Sequence, residues 1–285
     1  MQFPIVDGIP ILLNERRSIF TIDEFVRKNE TYFKSSQRTV QRVERLIPTT
    51  SANLTAKRNY RYLRSLLRGR DGRPIVLVIG GGVEGAGFDV LLRTPDLDVV
   101  ETDVALGPRT GLVCDAHDLP FAAETFDCVV AQAVLEHVLD PRRCVDEIYR
   151  VLKRDGLVYA ETPFMQQVHG GRYDFTRFTP LGHRRLFRHF EELRAGASSG
   201  PGQTLAWAVQ YFCLGFAQGR TSRLVCNAAG RLLGFPWKYA DRYLITREAA
   251  LDGASGVYFI GRKSQKTLPD RDLVNLYRGG EYLAR

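Results

Sequence analysis

The sequence predicts an α/β fold built on a seven-stranded, mostly parallel sheet with helices on both faces. Three observations carry that prediction. From Ile75 onward, short runs of β-branched and aliphatic residues alternate with helical patterns, which is how a parallel sheet buried on both faces reads in sequence. The first of these runs ends in a glycine-rich turn, Gly80 to Gly87, as strand-to-helix connections at the edge of such sheets do. And 285 residues, 44% hydrophobic and 25% charged, suffice for one substantial core, or one core with a small appendage.

Taken in order, residues 1–14 (MQFPIVDGIPILLN) form a short apolar segment punctuated by a turn at Asp7-Gly8. Residues 21–70 carry helical spacing: Ile22, Phe25 and Val26, then Val40, Val43, Leu46 and Ile47. Pro48 interrupts, and a further helix runs through Tyr60, Leu63, Leu66 and Leu67 to end near Gly69. Asp71-Gly72-Arg73-Pro74 then turns the chain. Ile75–Ile79 is the first buried strand, and an apolar helix through Val90 to Leu92 follows the glycines. Further strands are expected at 98–102, 112–114, 126–131 and 157–161, with a helix from about 141 to 153 before the last of these. That helix has Asp140 as N-cap, Pro141 at its first position and Gly156 just past its end. Phe190 to Ala195 and Gly256 to Gly261 complete seven strands, and the apolar stretch of about 203–250 between them reads as a helical insertion before the last strand. The expected organisation is therefore an arm and N-terminal helical extension over 1–72, a sheet domain over 73–263 and a tail over 264–285.

A net charge of +8 and a pI near 9.4 attract anionic partners in general. The arginines, such as Arg61, Arg64, Arg68, Arg70 and Arg73, are scattered along the chain, and no basic run interleaved with aromatics or nucleic-acid-binding motif accompanies them. Solvated helix faces account for the charge, and a nucleic acid stays an alternative partner. The five cysteines, Cys114, Cys128, Cys144, Cys213 and Cys226, form no C-x-x-C pair, and three sit in apolar or amphipathic runs. They suit a reducing cytoplasm better than a disulfide framework or a structural zinc site, and no metal ligand set is expected. The N-terminus lacks the charged-then-apolar layout of a signal peptide.

The chemistry begins at Gly80-Gly-Gly82-Val-Glu-Gly85, in which a strand feeds a tight glycine turn. Backbone N–H groups there can approach a ligand without interference from a Cβ, the Rossmann-like arrangement for nucleoside cofactors. Alone it fits NAD, FAD and S-adenosylmethionine equally. Glu101 and Asp103 end the second strand, a little over 20 residues on, where a carboxylate accepts hydrogen bonds from ribose hydroxyls, at roughly the usual spacing. Asp115-Ala-His-Asp-Leu-Pro-Phe121 follows the third strand, Phe126-Asp-Cys-Val covers the fourth, Glu136-His137 lies downstream, and Arg150-Val-Leu-Lys-Arg-Asp-Gly156 ends the next helix.

In this ordered set the sequence resembles the class I S-adenosylmethionine-dependent methyltransferases, in particular the Methyltransferase-11-like group, over about residues 75–190. The resemblance implies S-adenosyl-L-methionine as cofactor and S-adenosyl-L-homocysteine as product. It places Gly80, Gly81, Gly82 and Gly85 around the methionine moiety and Asp103 on the ribose, with Glu101 as the second candidate. It puts Asp115 and Ala116 at the adenine, and Ala131 and Gln132 beside the sulfonium. The chain departs from the family in its Val78-Ile79 strand end and its three consecutive glycines. His137 fits pocket closure or capping better than base catalysis. Residues 4–13 resemble the closing strand of a small Trm112-like module without its cysteines, and read as an arm packing on the core.

After the fifth strand, the stretch His169-Gly-Gly-Arg172-Tyr173-Asp174-Phe-Thr-Arg177 forms a polar, glycine-hinged loop at the edge where substrates bind. Similar stretches occur in bacterial methyltransferases linked to glycan or secondary-metabolite pathways. His169 is the candidate catalytic base; Arg172, Tyr173, Asp174 and Arg177 are candidate substrate contacts, and a structural Asp174–Arg177 pair is an equal alternative. The insertion's first apolar run, 205–217, covers 13 residues, fewer than the ~20 a bilayer-crossing helix needs. A lid or homodimer surface is favoured over peripheral membrane contact. The expected function is methyl transfer to a small-molecule acceptor, at a hydroxyl. The rivals are an RNA or protein methyltransferase, a nicotinamide-dependent oxidoreductase and a non-catalytic binding subunit of the same fold.

Overall fold

The computed structural model describes residues 3–27, 47–70 and 72–280. The helix expected through Val40, Val43 and Leu46, and the end of the tail at 281–285, lie outside the described residues. The chain starts as a hairpin, β1 (Ile5–Val6) and β2 (Ile9–Pro10). Asp7 and Gly8 both take positive φ, 50° and 82°, the geometry that matches the twist of a two-residue hairpin. Beyond it Ile11 bridges to Val113 in parallel, with the Leu12 N–H donating to the Val113 carbonyl at 2.8 Å. Ile11, Leu13 and Phe25, the last from α1 (Ile22–Val26), bury themselves with Val113. The arm thus docks on one edge of the main sheet.

Then come α2 (Ala56–Leu67), β3 (Ile75–Ile79), α3 (Asp89–Leu92), β4 (Asp98–Asp103), β5 (Leu112–Val113) and β6 (Phe126–Gln132). They are followed by α4 (Pro141–Val151), β7 (Leu152–Pro163), α5 (Pro180–Leu186) and β8 (Phe190–Ser199). A helical pair, α6 (Pro201–Leu214) and α7 (Arg220–Gly234), precedes β9 (Gly256–Lys263). The sheet order is β5-β4-β3-β6-β7-β9-β8. All neighbours from β5 through β7 are parallel, and β9 runs antiparallel to both β7 and β8. Each expected strand is present. Tyr60, Leu63 and Leu67 of α2 pack with Leu91 on one face of the sheet, while Val145 and Ile148 of α4 and Phe187 pack on the other. α2, expected as part of an N-terminal extension, therefore supplies one of the layers of the core.

Helix α4 begins as its sequence requires, with the Asp140 carboxylate accepting from the Arg143 N–H at 3.1 Å and Pro141 at the first turn. It ends at Val151, short of Lys153, because Leu152 already pairs with Phe126 in the sheet. Gly156 falls inside β7, at a bend where a Cβ would come within 2.8 Å of the Lys153 carbonyl oxygen. In the insertion, the Asp241 carboxylate accepts from the N–H groups of Gly200, Gly202 and Gln203 at 2.7 to 3.1 Å and so caps α6. Gly230 lets α7 lie against the backbone of Gln210, where a Cβ would stand 2.7 Å from the Gln210 Cα. No helix among the described residues is long and apolar enough to cross a membrane.

Candidate functional site

Parallel strands leave their carboxyl ends unpaired at one edge, where the connecting loops fan apart. A cavity of about 290 Å³ opens there, at the ends of β3, β4 and β6, near the lower end of the range for small-molecule pockets. Gly80, Asp103, Asp115 and Ala116 line it, together with Val83, Val104, His117, Ala133, Val134 and His137. Ile19 and Phe20 of the N-terminal arm form part of its wall.

The glycine turn works by absence of side chains. Gly80 has φ 71°, and a Cβ on it would come within 2.5 Å of the Val134 Cγ2. The Gly82 N–H donates to the Asp103 Oδ2 at 2.9 Å, tying the turn to β4. Gly81 packs on Glu101, and Gly85 leaves room for the Gln132 carboxamide. Of the four glycines, Gly80 faces the cavity and the other three shape the turn behind it.

The acids separate by their partners. Glu101 is gripped by both arms of the Arg109 guanidinium at 2.8 Å and stands off the cavity wall. Asp103 is on the wall; burial pushes its carboxyl above the usual range, and the N–H groups of Gly82, Val104 and Ala105 only partly offset this. Burial alone would also raise Asp115, but hydrogen bonds from His117 and Ser18 outweigh it and hold that carboxyl below its ordinary value. Ser18 Oγ donates at 2.5 Å and the His117 N–H at 2.9 Å. The Nδ1 of His117 contacts the same carboxylate at 2.6 Å while its Nε2 accepts from the Asp140 N–H at 3.0 Å, which places the ring proton on Nδ1. Glu147 and Arg150 hold the loop from below, bonding the Leu119 N–H and the Leu119 and Phe121 carbonyls. The helix-end arginine of the sequence motif thus acts as a clamp.

Ala131 is buried within the sheet and Gln132 turns away from the cavity, donating to the Ala86 carbonyl and Glu161 and accepting from Tyr60. The next residues, Ala133 and Val134, form the wall instead. Ala133 takes φ 55°, an unusual conformation for a residue with a Cβ and one often found at functional sites.

On the opposite side lies the loop after β7. Arg177 forks onto Asp174, with Nη2 at 2.8 Å from Oδ2 and Nη1 on Oδ1, and also donates to the carbonyls of Gln166 and Gln167. Asp174 accepts in addition from the His169 and Gly170 N–H groups at 2.7 and 3.1 Å. Burial opposes ionisation of Asp174, yet the guanidinium and these N–H groups hold its carboxyl far below the usual range. The pair therefore braces the loop. Arg172 stacks on the Tyr173 ring at 4.9 Å, and that ring meets Phe20 at 5.8 Å. His169 lies beside His137, ring centroids 5.0 Å apart, and its side chain is 25% exposed. Burial lowers the pKa of its imidazole, but the neighbouring Glu136 and Asp174 more than reverse this and lift it. α6 leans on the same loop: Trp207 meets His169 at 6.1 Å, and the Tyr211 hydroxyl donates to the Val168 carbonyl at 2.5 Å.

Three participants carried no weight in the sequence. Ser18 and Phe20 reach the site only through folding of the arm and had no local signal. Glu136 stood in the Glu136-His137 pair, but its complete burial is a tertiary fact.

Comparison with known proteins covers the glycine turn from Gly81 onward and the four strands after it, β4 to β7. Residues 81–160 match the Methyltransferase domain family. This segment of the chain is similar to a methyltransferase domain. Over 94 residues it is 33% identical to 2-methyl-6-phytyl-1,4-hydroquinone methyltransferase 1, chloroplastic, of Oryza sativa subsp. japonica, a match spanning 29% of this chain and 28% of the rice protein. Among solved structures, a protein of Galdieria sulphuraria described as a sarcosine dimethylglycine methyltransferase aligns with TM-score 0.48 at 15% identity, over 81% of this chain and 91% of that one. Phosphoethanolamine N-methyltransferase 2 of Haemonchus contortus, in complex with S-adenosyl-L-methionine, aligns with TM-score 0.46 at 17% identity, over 73% and 53%.

Proposed function

We propose that this protein transfers a methyl group from S-adenosyl-L-methionine to a hydroxyl of a small molecule. The observation that carries the reading is the cavity at the ends of β3, β4 and β6, where the glycine turn, Asp103 and Asp115 converge within the family-matched segment. Asp103 presents a carboxylate for ribose hydroxyls, and Asp115 with Ala116 borders the place for the adenine. Gly80 lets the chain pass close to the methionine part. When bound, the cofactor supplies an electrophilic methyl group; the protein needs only to align the acceptor, exclude water and receive or release a proton.

The acceptor side falls to the loop of residues 164–179, with His169 nearest the acceptor's proton. The brace between Asp174 and Arg177 keeps that loop in place, and α6 against it supports a lid role for the insertion. The hydroquinone in the rice relative's name supports a small-molecule acceptor.

Calorimetry with S-adenosylhomocysteine tests the reading. The folded protein is expected to bind it and to ignore NADH, and Asp103→Ala is expected to weaken binding at least about tenfold, ~1.4 kcal/mol. Absence of binding by a folded sample would overturn the reading.

A further inference from the structure

Glu136 is completely buried, and among the described residues neither carboxylate oxygen accepts a hydrogen bond. A carboxylate in that condition is destabilised by several kcal/mol unless something else compensates it. Two imidazoles face the same oxygen: His169 Nε2 stands 3.7 Å and His137 Nε2 3.8 Å from Oε1, both too long for a hydrogen bond. The other nitrogen of each ring faces oxygen acceptors. His137 Nδ1 lies 2.7 Å from the Tyr173 carbonyl. His169 Nδ1 lies 3.4 Å from the Gln167 carbonyl and 3.6 Å from Asp174 Oδ2. The Tyr173 carbonyl draws the His137 ring proton to Nδ1 and leaves its Nε2 lone pair toward the carboxylate, and the neutral form of His169 with its proton on Nδ1 does the same.

Three electron pairs therefore converge, with the ligand atoms all within 4.8 Å of one another. They repel unless a proton on one imidazole or a metal cation lies between them. A water molecule brings two hydrogens to three acceptors and cannot satisfy the set; one ion can. Two ligands on a tetrahedral ion with bonds of 2.0–2.1 Å stand roughly 3.4 Å apart, so small side-chain shifts close the geometry. We propose that Glu136, His137 and His169 bind a divalent transition-metal ion, with zinc(II) as the reference ion. Two imidazoles and one carboxylate suit such an ion, and a set of three protein ligands leaves a position open. Carbonyl and carboxylate partners on the far ring nitrogens are the arrangement that orients metal-bound histidines. The surroundings are stiff: Gly170 sits so close to the His137 ring that a Cβ would lie 2.4 Å from it, and the Glu136 carbonyl accepts from the Phe175 N–H at 2.8 Å.

What the ion does rests on the methyl-transfer reading; that it binds does not. His137 lines the cavity, so an ion held by this set would lie beside it. When bound, the ion would make a hydroxyl taken up beside it give its proton to solvent more readily. Its oxygen then forms the new bond to the methyl carbon as the carbon–sulfur bond breaks, leaving the electron pair on sulfur. His169 then acts as a ligand, and the proton goes elsewhere.

The test is titration of chelator-stripped, full-length protein with zinc chloride by calorimetry, alongside Glu136→Gln, His169→Gln and a Cys213→Ser/Cys226→Ser control. One equivalent is expected to bind, each cluster variant to lose at least a hundredfold in affinity, and the cysteine control to match the parent. No stoichiometric binding by the folded parent, or loss of binding only in the cysteine control, would overturn the proposal. Should Glu136→Gln fold poorly, the partly exposed His169→Gln decides alone. S-adenosylhomocysteine binding by the same samples separates the two readings, because zinc binding without it leaves the metal site standing and removes the methyl-transfer reading.

Discussion

The two edges of the sheet each hold a conspicuous aspartate, and the two are treated in opposite ways. At the amino-terminal edge Asp127 meets Lys153 at 2.8 Å, Arg70 at 3.4 Å and the Ile75 N–H at 3.0 Å. At the carboxyl-terminal edge Asp103 meets backbone N–H groups and the cavity. Burial opposes ionisation at both. Two cations and an N–H overcome it at Asp127 and lower that carboxyl's pKa, whereas at Asp103 burial wins and raises it. The difference teaches that an acid of a sequence motif serves as a structural anchor where cations complete its charge at the far edge of the sheet, as at Asp127, and as a cavity acid where it faces the pocket, as at Asp103. Asp127 belongs to the family-like F-D-x-V stretch as much as Asp103 belongs to its own, yet it fastens α2, β3 and β7 together.

The largest effect expected from this contrast is on stability. Asp127→Ala should lower the unfolding free energy by about 2 kcal/mol, because the Ile75 N–H loses its acceptor and the largely buried Arg70 its counter-charge, while the half-exposed Lys153 is resolvated. Urea denaturation measures this, and S-adenosylhomocysteine affinity of the folded fraction should stay within about twofold. Asp103→Ala should do the reverse, weakening the ligand at least tenfold, ~1.4 kcal/mol, while shifting the urea midpoint by less than about 1 kcal/mol equivalent. If both variants moved the same observable, the contrast between the edges would fail.

Acid titration sharpens the contrast through sign. Asp127's carboxyl is lowered on folding, so its contribution is complete above the unfolded pKa and disappears as pH falls from there through the lower folded value. Asp103's carboxyl is raised, so the folded chain takes up its proton first and gains stability as pH falls from the raised value toward the unfolded one. Asp127→Asn should flatten the more acidic limb of a stability–pH curve, and Asp103→Asn the limb just above it. The smallest effect belongs to Ser18→Ala, which removes one hydrogen bond to Asp115 and should weaken S-adenosylhomocysteine by about threefold, in keeping with a bond of ~0.5–1.5 kcal/mol.

Much of the fold was legible because its signals are local. Ile75–Ile79 announces a strand by being continuously apolar, Asp140-Pro141 announces a helix start, and Asp7-Gly8 a tight turn. The cavity was legible to the extent that it is built from strand ends, as with Gly80, Asp103 and Asp115. At β6 the reading placed Ala131 and Gln132 beside the ligand, but Ala133 and Val134 form the wall. The cause is the left-handed backbone at Ala133, which nothing about an alanine in sequence reveals. In sequence Arg177 stands equally between a substrate contact and a pair with Asp174, and the fold makes the pair. The Glu136–His137–His169 cluster joins residues more than 30 positions apart, and its meaning depends on burial that only packing creates.

The N-terminal arm has a kinetic consequence. Ile19 and Phe20 lie in the cavity wall, and Ser18 is fastened to Asp115 across 97 residues of chain. The arm is held at this point by one hydroxyl, the Asn14 and Arg17 contacts to Asp118, and the Phe20–Tyr173 ring contact, while the strands it covers are fixed by continuous ladders. Residence time of a bound nucleoside is therefore expected to follow the lifetime of the arm's closed position, independently of the depth of the pocket. A protease cutting at Arg16 or Arg17 becomes a clock for it: occupancy should slow the cut, and the cut should speed release.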